Sequence, residues 1–245
     1  MAQYETVRTA GVGARAQIDE GLRAHMNKVY GLMSVAMLVT AGVAWSVGTS
    51  DVLLQIFRDP LTLRPNILGW VIMFAPLAMV FAFGALINRM SAAAAQVFFY
   101  AFAAVMGLSL AWIFKVFTGV SIAQTFLITS IAFAGLSLYG YVTKRDLSGM
   151  GTFLLMGLIG LIVAMVVNIF LASSALAFAI SVIGLLIFAG LTAYDTQKIK
   201  AEYVAHAQSM DQEWLGKAAI MGALNLYLDF INMFMFLLQF MGNRE

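Results

Sequence analysis

The chain has 245 residues, 62% hydrophobic and only 11% charged, with a mean hydropathy of +0.90. An ordinary soluble domain is about half apolar and about a quarter charged, so this one would expose large apolar patches in water, and a water-soluble fold is excluded. A net charge of +2 over 14 Lys+Arg and 12 Asp+Glu is too sparse and too balanced for a nucleic-acid binder.

The absence of cysteine removes disulfides, thiolate metal sites and Cys nucleophiles together. Two histidines, His25 and His206, are too few for a multi-His zinc site. A porin-type barrel alternates apolar and polar residues along its strands, and this chain does not.

In chain order, residues 1–27 form a polar segment carrying Arg8, Arg15, Asp19, Glu20 and Arg23. No cleavable secretory signal is expected there, so the first apolar helix is expected to act as its own insertion signal. From residue 28 to 245 the chain reads as one membrane domain. A spanning helix needs about 20 mainly apolar residues. Windows of that kind fall at 29–49, 67–88, 93–114, 121–142, 151–170 and 175–196, with a seventh at 218–241. The fold class is therefore all-α, a polytopic bundle of seven transmembrane helices. The longer gaps are 50–66, with Pro60 and Pro65, and 197–217, with Glu202, Asp211 and Glu213. Small residues at Gly151, Gly157, Gly160, Ala172, Ala175 and Ala179 suit close helix packing in lipid.

Lys and Arg set the orientation. With the N-terminus inside, the inner segments hold Arg8, Arg15, Arg23, Lys28, Arg89, Lys144, Arg145, Lys198, Lys200 and Lys217. The outer segments hold Arg58, Arg64, Lys115 and Arg244. This bias predicts a cytoplasmic N-terminus, and seven crossings then put Glu245 outside. A re-entrant last segment would instead return the C-terminus, with Arg244, to the inside.

Within the spans two carboxylates stand out. Asp195 lies near the inner end of the sixth, in LTAYDTQKIK (191–200). Asp229 lies 11 residues past Ala218, which at about 1.5 Å per residue is roughly 16 Å into the seventh helix. A carboxylate at that depth costs at least about 2.5–3.5 kcal/mol on insertion scales and points to function. Asn225, Asp229, Asn232 and Gln239 recur in steps of four, three and seven, a single stripe of the helix. A polar stripe cannot face lipid, so the seventh helix is predicted to be central.

Two carboxylates brought within a few ångström share a proton or a cation. Ca2+ takes about six to eight oxygen ligands. Asp195, Asp229, Asn225 and Asn232 supply fewer, so no tightly bound cofactor is expected, and any Ca2+ site is weak and competes with protons. Such a site suits a passive leak better than a pump. Spacing alone leaves the pairing open. Asp195 precedes Lys198 by three residues and Asp229 follows Lys217 by twelve, a depth difference of roughly 13 Å if both lysines mark one interface. The two meet only if the seventh helix starts well outside the bilayer or the sixth continues past Asp195.

The segment RAHMNKVYGLMSVAMLVTAG (23–42), YDTQ (194–197) and LYLDFINMFMFLLQFMG (226–242) together resemble the Bax inhibitor-1 family, in particular its bacterial inner-membrane members. The resemblance covers nearly the whole chain. It implies a seven-helix bundle with the last helix central and a pH-sensitive Ca2+ leak across the inner membrane. It also implies a paired aspartate sensor near the cytoplasmic side, corresponding to Asp195 and Asp229. Family members use an Arg at the inner end of the second helix as a latch on one aspartate. Arg89, in LINRM (86–90), holds that place without the run of basic residues seen in some relatives. Asn225 and Asn232 would line the same route. The expected partners are the lipid bilayer, Ca2+ and protons.

Two rival readings fail on particular residues. An aspartyl intramembrane protease needs glycines before its second Asp, and Leu226, Tyr227 and Leu228 stand there; no enzymatic activity is expected. A retinal protein needs a Schiff-base Lys in its last helix, and 218–241 has none. A non-enzymatic modulator that binds other membrane proteins, such as a membrane-bound protease, is the alternative, with residues 1–27 as its contact segment.

Overall fold

A computed structural model of the chain describes residues 2–59, 62, 64–206 and 211–244, with side chains in the first helix from residue 18 onward. The side chains of Arg8 and Arg15, together with Pro60 and Glu245, lie outside the described residues. The fold is 88% helical, without strands among the described residues. The helices are α1 (Ala2–Gly48), α2 (Asp51–Gln55), α3 (Ile67–Leu86), α4 (Ala92–Leu110), α5 (Gly119–Val142), α6 (Ser148–Leu171), α7 (Ser174–His206) and α8 (Gln212–Met241). Short 3-10 turns, Ile87–Arg89 and Ala111–Lys115, extend α3 and α4. Seven of these helices, all but α2, are long and apolar enough to cross a membrane.

Local chemistry starts several of them where the sequence changes from polar to apolar. Asn66, Ser91, Thr118 and Asp211 each accept a hydrogen bond from a backbone N–H in the first turn of α3, α4, α5 and α8, satisfying donors that have no intrahelical partner. At the other end of α6, Ala172 closes the helix in the left-handed conformation with φ 46°.

The spans differ from the sequence windows at the 197–217 gap and at the start of the first helix. In the gap α7 continues to His206, and α8 begins at Gln212, six residues before the predicted 218. Polarity set the predicted boundary. Hydrogen-bonded helix does not end at polarity, because long polar side chains are solvated outside the bilayer without breaking the backbone ladder. In the same way α1 runs through the polar N-terminal segment, with Leu22, His25 and Met26 already buried.

The crossings alternate. At one end Lys115 pairs with Asp51 at 2.7 Å, and Phe117 bridges to Arg244. At the opposite end Ala92 N–H donates to Glu213 at 2.6 Å and Gln197 Nε2 donates to the Arg145 carbonyl at 2.7 Å. The last helix is thus unbroken from one end to the other, and the re-entrant alternative does not occur. α8 is also the central helix: 72% of its apolar window is buried, against 11–44% for the other six. It packs on α1, α4, α5 and α7.

The predicted small-residue stripe is partly corrected. A Cβ on Gly151 would come within 2.5 Å of the Tyr194 ring and one on Gly157 within 3.3 Å of Ile187, so both mark close α6–α7 approaches. Gly160 faces open space, and Ala172 serves as the helix cap instead. The tightest approach between spans on the α7 side is Gly140 of α5 on the Ala193 carbonyl, where a Cβ would sit at 2.1 Å.

Candidate functional site

The two aspartates are carried by α7 and α8, which run antiparallel in contact along most of their length. The register can be followed from one end. Ser181 Oγ lies 3.3 Å from Gln239 Oε1, Gly184 lies under the Phe236 ring, and Thr192 Oγ1 lies 3.4 Å from Met233 Sδ. Further on, Gly222 packs on Ile199. In this register Asp195, three residues beyond Thr192, falls opposite Asp229, four residues before Met233. Asp195 is within electrostatic range of Asp229. Of the two conditions that the spacing left open, the second is met: α7 continues past Asp195 to His206, while α8 starts at Gln212, five residues before Lys217.

Their environments differ. Asp229 is buried, with 4% of its surface exposed, and its Oδ2 is a buried polar atom without a hydrogen-bond partner. Among the described residues it is the only such side-chain atom. A buried polar atom left unpaired costs about 1–3 kcal/mol. Packing alone gives no reason for this one. Asp195 is half-buried, one turn before exposed Lys198, and so offers the pair a connection toward the end of the bundle that carries Lys144, Arg145 and Lys200.

The other predicted residues are less closely gathered. Asn225 and Asn232 are half-buried. The Asn232 amide donates to the carbonyl of Leu228 at 2.8 Å, which holds it along its own helix. Gln239 closes the stripe against Ser181. Arg89 is exposed in the 3-10 turn after α3 and pairs with neither aspartate. Its neighbour Ala92 touches Glu213 and Gly216, which precede Asp229 by sixteen and thirteen residues, about 20–24 Å of helix rise.

Several polar residues around the pair were not singled out from sequence. Tyr30 of α1 shares a 2.5 Å hydrogen bond with Ser137 of α5, which shares one of 2.9 Å with Thr196 of α7. On the other flank, Tyr227 is fully buried and shares a 2.6 Å bond with Thr40, whose hydroxyl donates to the Ala103 carbonyl at 2.8 Å. These hydroxyls tie α1, α4 and α5 to the two helices that carry the carboxylates. Thr192 and Thr196, one turn apart on α7, were the available signal. Single hydroxyls in an apolar span are otherwise silent, because each can bond back to the preceding turn.

Chemically, the pair presents up to four carboxylate oxygens in a water-poor setting. It can hold a proton between its members or contribute part of a hard-cation shell.

The model of the family described as "Inhibitor of apoptosis-promoting Bax1" matches residues 22–245. The inner membrane protein YbhL of Escherichia coli is 46% identical over 225 residues, covering 92% of this chain and 94% of its own. An uncharacterised protein of Rickettsia prowazekii is 46% identical over 229 residues, with 93% and 92% coverage. One from Caulobacter vibrioides is 41% identical over 236 residues, with 95% and 94% coverage. With the family match running from residue 22 to 245 across the seven helices, this chain belongs to the Bax inhibitor-1 family of multi-pass membrane proteins.

Proposed function

We propose that this protein is a passive, pH-sensitive Ca2+-permeable leak of a bacterial inner membrane, with Asp195 and Asp229 as its proton- and cation-responsive pair. The observation that carries the reading is the unpartnered, buried Asp229 Oδ2, held opposite Asp195 in the α7–α8 register. A buried carboxylate oxygen without a protein partner in a helix bundle is costly, and a transient cation or proton is the partner its chemistry suits. The name of the Escherichia coli relative supports the inner membrane as location. The excess of Lys and Arg at the end with Arg89, Lys144 and Arg145 supports a cytoplasmic N-terminus.

In this mechanism Ca2+ and protons compete for the pair. Raising the pH favours the cation and lowering it favours the proton, while Asn225 and Asn232 add amide oxygens along the route. Arg89 acts as a latch in a second arrangement, in which the inner end of α3 approaches the pair. Because Arg stays charged across accessible pH, uptake of a proton by the aspartate is the event that releases it.

The test is Ca2+ flux into proteoliposomes across a pH series. The wild-type protein should leak Ca2+ with a rate that depends on pH. Asp195→Asn and Asp229→Asn should each flatten that dependence, and Arg89→Ala should shift it. Absence of flux, or flux indifferent to both aspartate substitutions, would overturn the proposal.

A further inference from the structure

The contact between α7 and α8 changes character along its length. Toward the C-terminal end, Ser181 and Gln239 meet at an open cleft of about 650 Å³ whose wall also includes Asn168, Ser173 and Arg244. Toward the other end lie Thr192 and the two aspartates. Between these polar stretches stand Phe236, Phe188 and Met233, all buried. The Phe236 ring stacks on Phe188 with centroids 6.0 Å apart and an interplanar angle of 28°. It also covers Gly184 so closely that a Cβ there would lie 2.5 Å from Cζ. Leu154 and Leu161 of α6 complete the same apolar cluster. From Gln239 to Met233 the apolar stretch spans six residues, about 9 Å of helix rise.

We infer that Phe236, seated on Gly184 and backed by Phe188, is the constriction that closes the route from the C-terminal cleft to the aspartate pair. The inference rests on the reading that the pair lies on a permeation route. Apolar collars close such routes by excluding water, without needing a charged gate. Glycine is required at 184 because any side chain there would lift the ring from its seat. A small rotation of α7 against α8 would unseat the ring while leaving the backbone ladder of each helix intact, at the expense of the weak side-chain contacts Ser181–Gln239 and Thr192–Met233. The arrangement also explains why polar side chains resume on both sides of the collar, at Ser181 and Gln239 on one and Thr192 on the other.

The chain has no native cysteine, so single introduced thiols report water access directly. Thr192→Cys places one beyond the collar, and Gln239→Cys places one at the cleft. The probe is a membrane-impermeant cationic thiosulfonate, added to membrane vesicles on the side from which Gln239→Cys reacts. With the native ring, Thr192→Cys should react at least roughly tenfold more slowly than Gln239→Cys, and Phe236→Ala should remove most of that difference by wetting the collar. Gly184→Ala, which keeps the ring but displaces it, should act in the same direction and carries the test if Phe236→Ala does not assemble. Phe236→Leu should stay slow. A Thr192→Cys rate equal to that of Gln239→Cys in the native-ring background, or unmoved by both substitutions, would overturn the constriction. Ca2+ flux is read in parallel. Faster labelling without faster flux supports the constriction while contradicting the Ca2+ leak, whereas unchanged labelling overturns the constriction whatever the flux does.

Discussion

Replacing Asp229 by Asn should make the protein more stable while removing its pH response. The Oδ2 atom of Asp229 is buried and without a partner. Leaving such an atom unbonded costs about 1–3 kcal/mol, and Asp is among the side chains most costly near a bilayer centre, at about 2.5–3.5 kcal/mol on insertion scales. An amide at this position has a local solution that a carboxylate lacks. Asn232, three residues later, donates its amide to the carbonyl four residues back, at 2.8 Å. Asn at 229 can donate to the Asn225 carbonyl in the same way. The substitution nearly conserves volume, so no cavity opens and no overpacking is forced. A net gain of about 1–2 kcal/mol is expected, which for a chain of this size corresponds to a rise in Tm of roughly 2–8 °C. The assay is thermal unfolding of the purified protein in detergent, read beside Ca2+ flux from the same preparation. A fall in Tm of similar size would refute the reasoning, because it would mean that the carboxylate holds the bundle together.

Three further outcomes follow from the packing. Thr40→Val should cost more than Tyr227→Phe, about 1–3 against about 0.5–1.5 kcal/mol, because the first strands the buried Tyr227 hydroxyl and the second leaves Thr40 bonded to the Ala103 carbonyl; a double-mutant cycle in thermal unfolding should show the pair costing less than the sum. Gly140→Ala should destabilise by at least about 1–3 kcal/mol, since its Cβ would meet the Ala193 carbonyl at 2.1 Å and backbone cannot turn aside, whereas Gly31→Ala, with nothing within 4 Å, should be neutral or slightly stabilising. At the turn before α6, the Ser148 N–H donates to Asp146 Oδ1 at 2.9 Å. Hydrogen bonds from Ser148 hold the Asp146 carboxyl below the usual carboxylate range. The bond is therefore intact above that range and is lost as the pH falls through the lowered value, so amide exchange at Ser148 should lose protection there, and Asp146→Asn should abolish the pH dependence.

The bundle was legible because a bilayer allows few alternatives. Once 62% of the residues are hydrophobic and each apolar run is about 20 long, the helices and their count follow. The central place of α8 was legible for a related reason: the stripe of Asn225, Asp229, Asn232 and Gln239 had nowhere else to go. The helix ends were less so. Residues 197–206 and 212–217 are polar, yet they continue α7 and α8, and those added turns place Asp195 and Asp229 within continuous helix rather than near a helix end. The inter-helix register was not legible, because it is set by contacts such as Gly184 under Phe236 and Gly140 on the Ala193 carbonyl. No local pattern distinguishes these glycines from Gly160, which touches nothing. The partners of Tyr30 and Thr40 are hidden for the same reason, since each lies more than 60 residues away in sequence.

The claim at the centre is that Asp195 and Asp229 act as one unit. Its most direct test is a double-mutant cycle on Ca2+ flux in proteoliposomes, comparing Asp195→Asn, Asp229→Asn and the double variant at a fixed pH. If the two carboxylates form one site, either substitution alone removes nearly all of the pair's effect, and the double variant matches the singles. Effects that simply add in the double variant would show two independent carboxylates and contradict the account.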